Sequence, residues 1–314
     1  MQPRLHSAMS RREALRVGLL ACMGAGCARA SWADEDTGLL PLISKTIPST
    51  GEKIPAIGLG SDSFQVSEND AIRAEIGRMH ELGGSVIDTA AAYGDSEALI
   101  GDALAALGIR DRMFLATKLT AGGLLFSGSG GEASFQRSLE RLKTKRLDLL
   151  QVHNLNGVDS LMPLLHQWKK AGKIRYIGVT TSRTSQHGDL VEAMRKYPLD
   201  FIQVDYSIAN RDAAANVFPV ALERGVAVLA NLPLARASLI GRAGQRALPD
   251  WAGDIDISSW SQYFLKYVIS HPAVTCAIPG STKVAHLEDN QRAARGRLPD
   301  MAMRSRMERF WDAM

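Results

Sequence analysis

A chain of 314 residues, 46% of them hydrophobic, suffices for one large domain or two small ones, and three cysteines are too few for a disulfide-built scaffold. It carries 37 Lys and Arg against 33 Asp and Glu, but residues 1–33 hold five of the arginines and one acid, so the rest balances at 32 against 32. The basic character belongs to one end of the chain and gives no reason to expect a nucleic-acid partner.

That end reads as a leader. MQPRLHSAMSRREALR is basic (Arg4, Arg11, Arg12, Arg16), VGLLACMGAGCA is apolar, and ARASWA offers small residues suited to cleavage. The paired arginines of SRREAL before a mildly apolar stretch resemble a twin-arginine (Tat) signal. The apolar run is about a dozen residues, short of the ~20 that span a bilayer. Export through the Tat machinery to the periplasm or beyond is therefore expected, with a cytoplasmic protein the alternative if the signal is not used. Cys22 and Cys27 lie in this segment as candidate lipidation sites, and Cys276 has no partner for an internal disulfide. The expected organisation is a signal over 1–33 and a single domain over 34–314.

Within that domain, LISKTIPSTGEKIPA (42–56) reads as a hairpin with a glycine turn. Eight short apolar runs follow: IPAIGLG, SVIDTA, MFLATKL, LDLLQVH, IRYIGVT, DFIQVD, VAVLAN and VTCAIPG. LLQVH and VAVLA show little alternation, as expected of parallel strands covered on both faces. The segments between them, such as AIRAEIGRMHEL and HGDLVEAMRKY, repeat apolar residues every three or four positions and predict helices. AAANVFPVALERG reads as one helix, and residues 232–257 as the longest irregular connection. LPDMAMRSRMERFWDAM predicts a closing helix near Pro299 and Asp300. Strict βα order with eight of each predicts a (β/α)8 barrel, an α/β fold, with an open doubly wound sheet as the alternative. GLGSDSF after the first strand does not match G-x-G-x-x-G, which counts against the latter.

In such a barrel, reactive groups come from the C-terminal strand ends. These ends present Asp88 after SVI, Lys118 after FLAT and His153 after LLQV, with Tyr93 in the loop beyond Asp88. There is no H-E-x-x-H and no carboxylate cluster for a metal, and no second carboxylate for glycoside hydrolysis. Reducing a carbonyl needs a hydride donor, an acid for the oxygen and stabilisation of the developing charge. Tyr93 can give the proton, although a free phenol titrates near about 10. A neighbouring Lys118 ammonium, held charged by Asp88, would bring that value down, and His153 could orient the oxygen or relay a proton. His166, His187 and His271 fall on helix or loop positions and are taken as structural.

DTAAAYGDSE, FLATKL, LDLLQVHN, GKIRYIGVT, DFIQVDYS and IPGSTKVAHLEDN, in this order over residues 44–312, resemble the aldo-keto reductase family. The resemblance implies a monomeric or loosely associated barrel that reduces a small-molecule carbonyl with NADPH, NADH being the second candidate cofactor. It implies that Thr180 and Thr181 stand where the family's Ser-Asn binds the nicotinamide carboxamide, and that Gln203 faces the same group. ANLPL departs from the family pattern: Asn231, followed by Leu232 and Leu234, replaces an aromatic ring expected to stack on nicotinamide, with Tyr206 as a candidate substitute. Beyond the eighth strand, Ser281 and Lys283 stand at a helix start suited to the 2′-phosphate, His286 replaces a common arginine, and Asn290 matches the adenine contact. Residues 119–131 and 232–257 are the expected substrate-selecting loops. A barrel that binds nucleotide but turns over little, as a redox-sensing subunit, is the alternative function.

Overall fold

The computed structural model describes residues 39–119 and 128–314. The segment expected to be a leader (1–33) and residues 120–127 of the expected substrate-selecting loop lie outside the described residues. The expected hairpin is present: β1 (Ser44–Thr46) pairs antiparallel with β2 (Lys53–Pro55), Lys45 opposite Ile54. Gly51 takes φ +78° at its turn and donates its N–H to the Ile47 carbonyl at 2.9 Å.

Eight parallel strands follow: β3 (Leu59–Gly60), β4 (Val86–Asp88), β5 (Phe114–Leu119), β6 (Leu147–Val152), β7 (Ile174–Thr180), β8 (Phe201–Asp205), β9 (Ala227–Asn231) and β10 (Val274–Ala277). Each pairs with its chain neighbour, as expected when every connection is a right-handed helical crossover. The sheet closes on itself where Gly58 N–H donates to Ala277 O at 2.8 Å and Ala277 N–H to Ala56 O at 2.9 Å. Gly60 N–H to Pro279 O at 3.0 Å continues that seam to the strand tops. The (β/α)8 barrel is therefore the observed architecture.

Two apolar layers hold it. Inside the barrel, Val86, Phe114, Ala116, Leu149, Tyr176, Phe201, Ala227, Leu229 and Cys276 form one buried cluster, and the hairpin's Ile47 and Ile54 belong to it. The hairpin is thus the floor that keeps water out of the lower barrel. A larger cluster lies between strands and helices. The crossover helices are α1 (Asn69–Glu81), α2 (Ser96–Leu107), α3 (Gly128–Arg141), α4 (Val158–Lys170) and α5 (His187–Lys196). The helix expected over residues 213–225 is two, α6 (Asp212–Asn216) and α7 (Phe218–Arg224), because Pro219 has no N–H to continue the ladder. The connection 232–257 is more ordered than expected: it contains α8 (Ser238–Ala243) and a 3-10 segment, Asp250–Ile255. Then come α9 (Trp260–Ile269), α10 (Val284–Ala293) and the closing α11 (Met301–Asp312), whose N-cap Asp300 accepts Met303 N–H at 2.8 Å. Among the described residues no helix is long and apolar enough to cross a membrane.

One close approach fixes α2, the helix that follows Tyr93. A Cβ at Gly101 would lie 2.1 Å from the Arg141 carbonyl, so α2 and the end of α3 meet backbone to backbone. Gly101→Ala is expected to destabilise the domain by about 3 kcal/mol through overpacking. Urea unfolding checks this, and an unchanged midpoint would show that the helices can separate freely.

Candidate active site

Strand alternation builds the mouth. Val86, Phe114, Ala116, Leu149, Phe201 and Leu229 point into the barrel, so residues two positions onward along each strand face inward one layer higher. That layer holds Asp88, Lys118, Gln151, Gln203 and Asn231, an apolar cylinder ending in a polar rim. Lys118 is fully buried and Asp88 is 3% exposed. The Lys118 ammonium donates to Asp88 Oδ2 at 2.6 Å and to the Thr89 carbonyl at 2.8 Å. The other carboxylate oxygen, Asp88 Oδ1, accepts from Gln203 Nε2 at 2.9 Å and, at 3.5 Å, from Gln151 Nε2.

Tyr93 sits in the tight turn between β4 and α2, its N–H donating to Ala90 O and its carbonyl accepting from Ser96 N–H. Lys118 Nζ lies 4.9 Å from the centre of its ring. His153 meets the same ring edge-on, with centroids 5.7 Å apart. The backbone after His153 turns through two left-handed residues, Asn154 (φ +53°) and Leu155 (φ +58°), and Asn154 N–H is caught by Thr180 Oγ1 at 3.0 Å. That turn directs the imidazole toward the mouth.

The electrostatics follow from burial. Desolvation works against the Lys118 ammonium, but Asp88 and Tyr93 outweigh it and hold its pKa above the ordinary lysine value. Burial pushes the Tyr93 phenol up, Lys118 pulls it down and Asp88 pushes it up again, with a net rise. The expectation that Lys118 would bring the phenol down is therefore not met in this structure: burial outweighs the pull of the ammonium, and Asp88 adds to the rise. His153 falls to about 4, through burial and then the Lys118 charge, so its ring is neutral at physiological pH.

Asp88, Tyr93 and His153 line one cleft of about 510 Å³ together with Thr180, Thr181, Gln203, Asn231, Leu232 and Leu234. Several of these polar groups are already committed. Thr181 Oγ1 donates to Gln186 Oε1 at 2.7 Å and accepts from Arg183 N–H, and Asn231 Nδ2 donates to Thr181 O at 2.9 Å. Tyr206 does not replace the missing ring: it is 1% exposed and packs on Phe218, Tyr267 and His271, away from the cleft lining. Ser281, Lys283, His286 and Asn290 lie outside the cleft, which reaches as far as Gly280, the residue before Ser281. Ser281 and Lys283 precede α10 rather than opening its first turn; Lys283 is its N-cap, and Ser281 Oγ hydrogen-bonds both the N–H and the carbonyl of Lys283 at 3.1 Å. His187 is tied to Asp205 at 2.9 Å, and His271 packs among aromatics, both structural as read.

Residues that sequence reasoning passed over complete the rim. Gln151, two positions before His153, was recoverable from strand alternation as an inward polar group. Asp62 and Arg236 form an ion pair across the mouth at 3.2 Å, joining the connections after β3 and β9. Arg236 stands in a run with Ala235 and Ala237 at φ +46° to +65°, a conformation with no sequence signal in non-glycine residues. Ser61 donates from its hydroxyl to the Asp88 carbonyl at 2.9 Å.

A closed parallel barrel with a phenol, an imidazole and a buried ammonium–carboxylate pair at the C-terminal strand ends defines a carbonyl-reducing class of oxidoreductase. The Aldo/keto reductase family matches residues 56–309. An uncharacterized oxidoreductase of Schizosaccharomyces pombe is 32% identical over 72% of this chain and 75% of its own length. The methylglyoxal reductase of Escherichia coli is 30% identical over 78% of this chain and 88% of its own. Among solved structures, an aldo/keto reductase from Klebsiella pneumoniae in complex with NADP and acetate superposes with a TM-score of 0.69 at 25% identity, covering 85% of this chain and 95% of that one. The chain belongs to the aldo/keto reductase family and is an NAD(P)H-dependent oxidoreductase.

The pair under the phenol has a stability signature. Lys118→Met leaves Asp88 buried without its cation and is expected to cost about 3–5 kcal/mol. The double variant Lys118→Met/Asp88→Asn should recover a large part of that loss, because it removes the stranded charge. Additive losses in urea unfolding would contradict the pairing.

Proposed function

We propose that the protein reduces an aldehyde or ketone to the alcohol with NADPH, with Tyr93 as the general acid. The observation that carries this reading is the buried Lys118–Asp88 pair against the Tyr93 ring, at the wall of the cleft that Asp88 and Tyr93 line. The donor set suits a dinucleotide: amides and hydroxyls of Gln203, Thr180 and Asn231 near the reacting centre and the Arg236 guanidinium on the wall, with the exposed Lys283 three residues beyond Gly280 in the chain. An uncharged ring at the centre and phosphates toward the cations match that gradient. Leu232 and Leu234 line the apolar stretch between, and Ser281, His286 and Asn290 are the remaining contacts proposed for the adenosine end. The NADP in the Klebsiella pneumoniae structure supports the same cofactor.

A nicotinamide bound in the cleft would supply the hydride. His153, neutral, donates one N–H to the carbonyl oxygen and orients it without adding charge. Tyr93, kept protonated by burial, passes its proton to that oxygen as negative charge develops there. Lys118 stabilises the phenolate left behind, and Asp88, held by Gln203 and Gln151, fixes the ammonium in place. The name of the Escherichia coli relative, methylglyoxal reductase, is in keeping with a small carbonyl substrate.

Because the phenol's pKa is raised, its proton is retained through neutrality, so kcat for reduction should stay level with rising pH and fall only beyond the ordinary tyrosine range. Tyr93→Phe should lose several orders of magnitude in kcat while quenching NADPH fluorescence as the wild type does. A Tyr93→Phe enzyme with near-normal turnover would end this reading, and unimpaired partner binding without turnover in the wild type would favour the redox-sensing alternative.

The leader supports export by the Tat route, which passes folded proteins and would carry the enzyme with its cofactor. Arg11→Lys/Arg12→Lys is expected to retain the protein, uncleaved, in the cytoplasm. Finding the wild-type chain only there by fractionation would overturn the export reading.

A further inference from the structure

Behind the turn that leads from β10 into α10 lies a carboxyl with no cation. Glu75, on α1 where it packs against α10, is fully buried, and both of its oxygens lack a hydrogen-bond partner. The polar side chain acting on it is Ser281, whose hydroxyl is already engaged by the Lys283 backbone. Gln291 of α10 is also buried, with both amide atoms unpaired. A packing role alone would favour an apolar side chain here, since burying an uncompensated carboxylate is costly. Desolvation raises the Glu75 carboxyl to about 7, with Ser281 opposing and Glu68 reinforcing the rise.

Most other charged groups on α1, α2 and α10 have partners of their own; Asp289 of α10 is held by Ser259 and Gln262, while Glu68 just before α1 adds to the negative field and Arg292 lies in the last turn of α10. On α1, Arg78 is bound to Glu81 and to Glu288 of α10, and Arg73 to Asp70. On α2, Glu97 is held by Thr117 and Arg141, and Asp102 by Lys143. Lys283 and His286 are exposed on the outer side of the turn. Glu75 is thus a buried carboxyl behind Ser281, two residues from the exposed cation Lys283 in the same turn.

We propose that Glu75 is a specificity-determining residue for the coenzyme: its carboxyl, acting through Ser281, lets the turn accept the 2′-phosphate of NADPH while neutral and opposes that phosphate when ionised, leaving NADH little affected. This rests on the reading of 281–283 as the 2′-phosphate site. Two anionic groups on opposite sides of one serine interact strongly enough, at partly buried separations, to change affinity on the order of tenfold.

The test is dissociation constants for NADPH and NADH by fluorescence, at about pH 6 and about pH 8, for the wild type and Glu75→Gln, with circular dichroism to establish folding. In the wild type, the preference for NADPH over NADH should fall on the order of tenfold between the two pH values. This runs against the titration of the 2′-phosphate, which gains negative charge over the same range and would favour Lys283. Glu75→Gln, neutral throughout, should keep the higher preference at both. His286 is present in both proteins, so their difference isolates Glu75. A merely structural role would shift both nucleotides together. Identical pH courses in the two proteins overturn this inference alone, and a wild-type preference that rises with pH overturns it even if the variant does not fold. Failure of either nucleotide to bind would overturn the coenzyme reading and this inference with it.

Discussion

A lysine ammonium buried without water has to be neutralised at contact distance, and here Asp88 does so at 2.6 Å. The barrel depends on this pair and the pair on the barrel. The two groups sit on adjacent strands and both face inward: β4 and β5 pair with Asp88 opposite Ala116, and Lys118 lies two residues beyond, on the same face of its strand, within reach of the carboxylate. A slip of one residue would turn both charges into the apolar layer between strands and helices. The hairpin floor, with Ile47 and Ile54, makes the lower barrel dry and leaves the mouth as the one open end of the cylinder's interior cluster.

From that constraint the chemistry acquires a direction. An ammonium free of Asp88 would pull the phenol toward ionisation; tied to Asp88, it leaves burial in control and the phenol protonated. The neutral His153 beside it adds a donor without a competing charge. On the reading proposed above, the phenol is thereby held in the protonated form that reduction requires. On the side proposed for the cofactor, polar groups are already engaged: Thr181 spends its hydroxyl on Gln186 and Arg183, and Asn231 donates to the Thr181 carbonyl.

Much of this was legible in the chain. Strands such as LLQVH and VAVLA announce themselves because both faces are covered, and eight of them in βα order leave few closures. The strand-end acids and bases were legible because the apolar runs SVI, FLAT and LLQV stop at Asp88, Lys118 and His153. Tyr206 was not: past the end of β8 the strand alternation no longer sets direction, and packing on Phe218 decided it. The break at Pro219 was visible in the sequence, but its helical flanks outweighed it. Left-handed residues from Ala235 to Ala237 carry no glycine to announce them, and Glu75 looks like any polar residue on a helix until α10 covers it. Hydrogen-bond saturation, as at Thr181, is a property of neighbours distant in sequence and has no local signal.

The most direct measurement of the central claim is the pH course of single-turnover alcohol oxidation, with saturating NADP, in the wild type and in Lys118→Met. Oxidation needs the phenol ionised, so the rate should climb with pH and level off at the phenol's titration. Removing the ammonium takes away the side-chain cation that pulls that titration down, while the bound NADP is the same in both proteins, and the curve should move to higher pH. Superimposable curves would mean that Lys118 does not act on the reacting proton, and the account would fail.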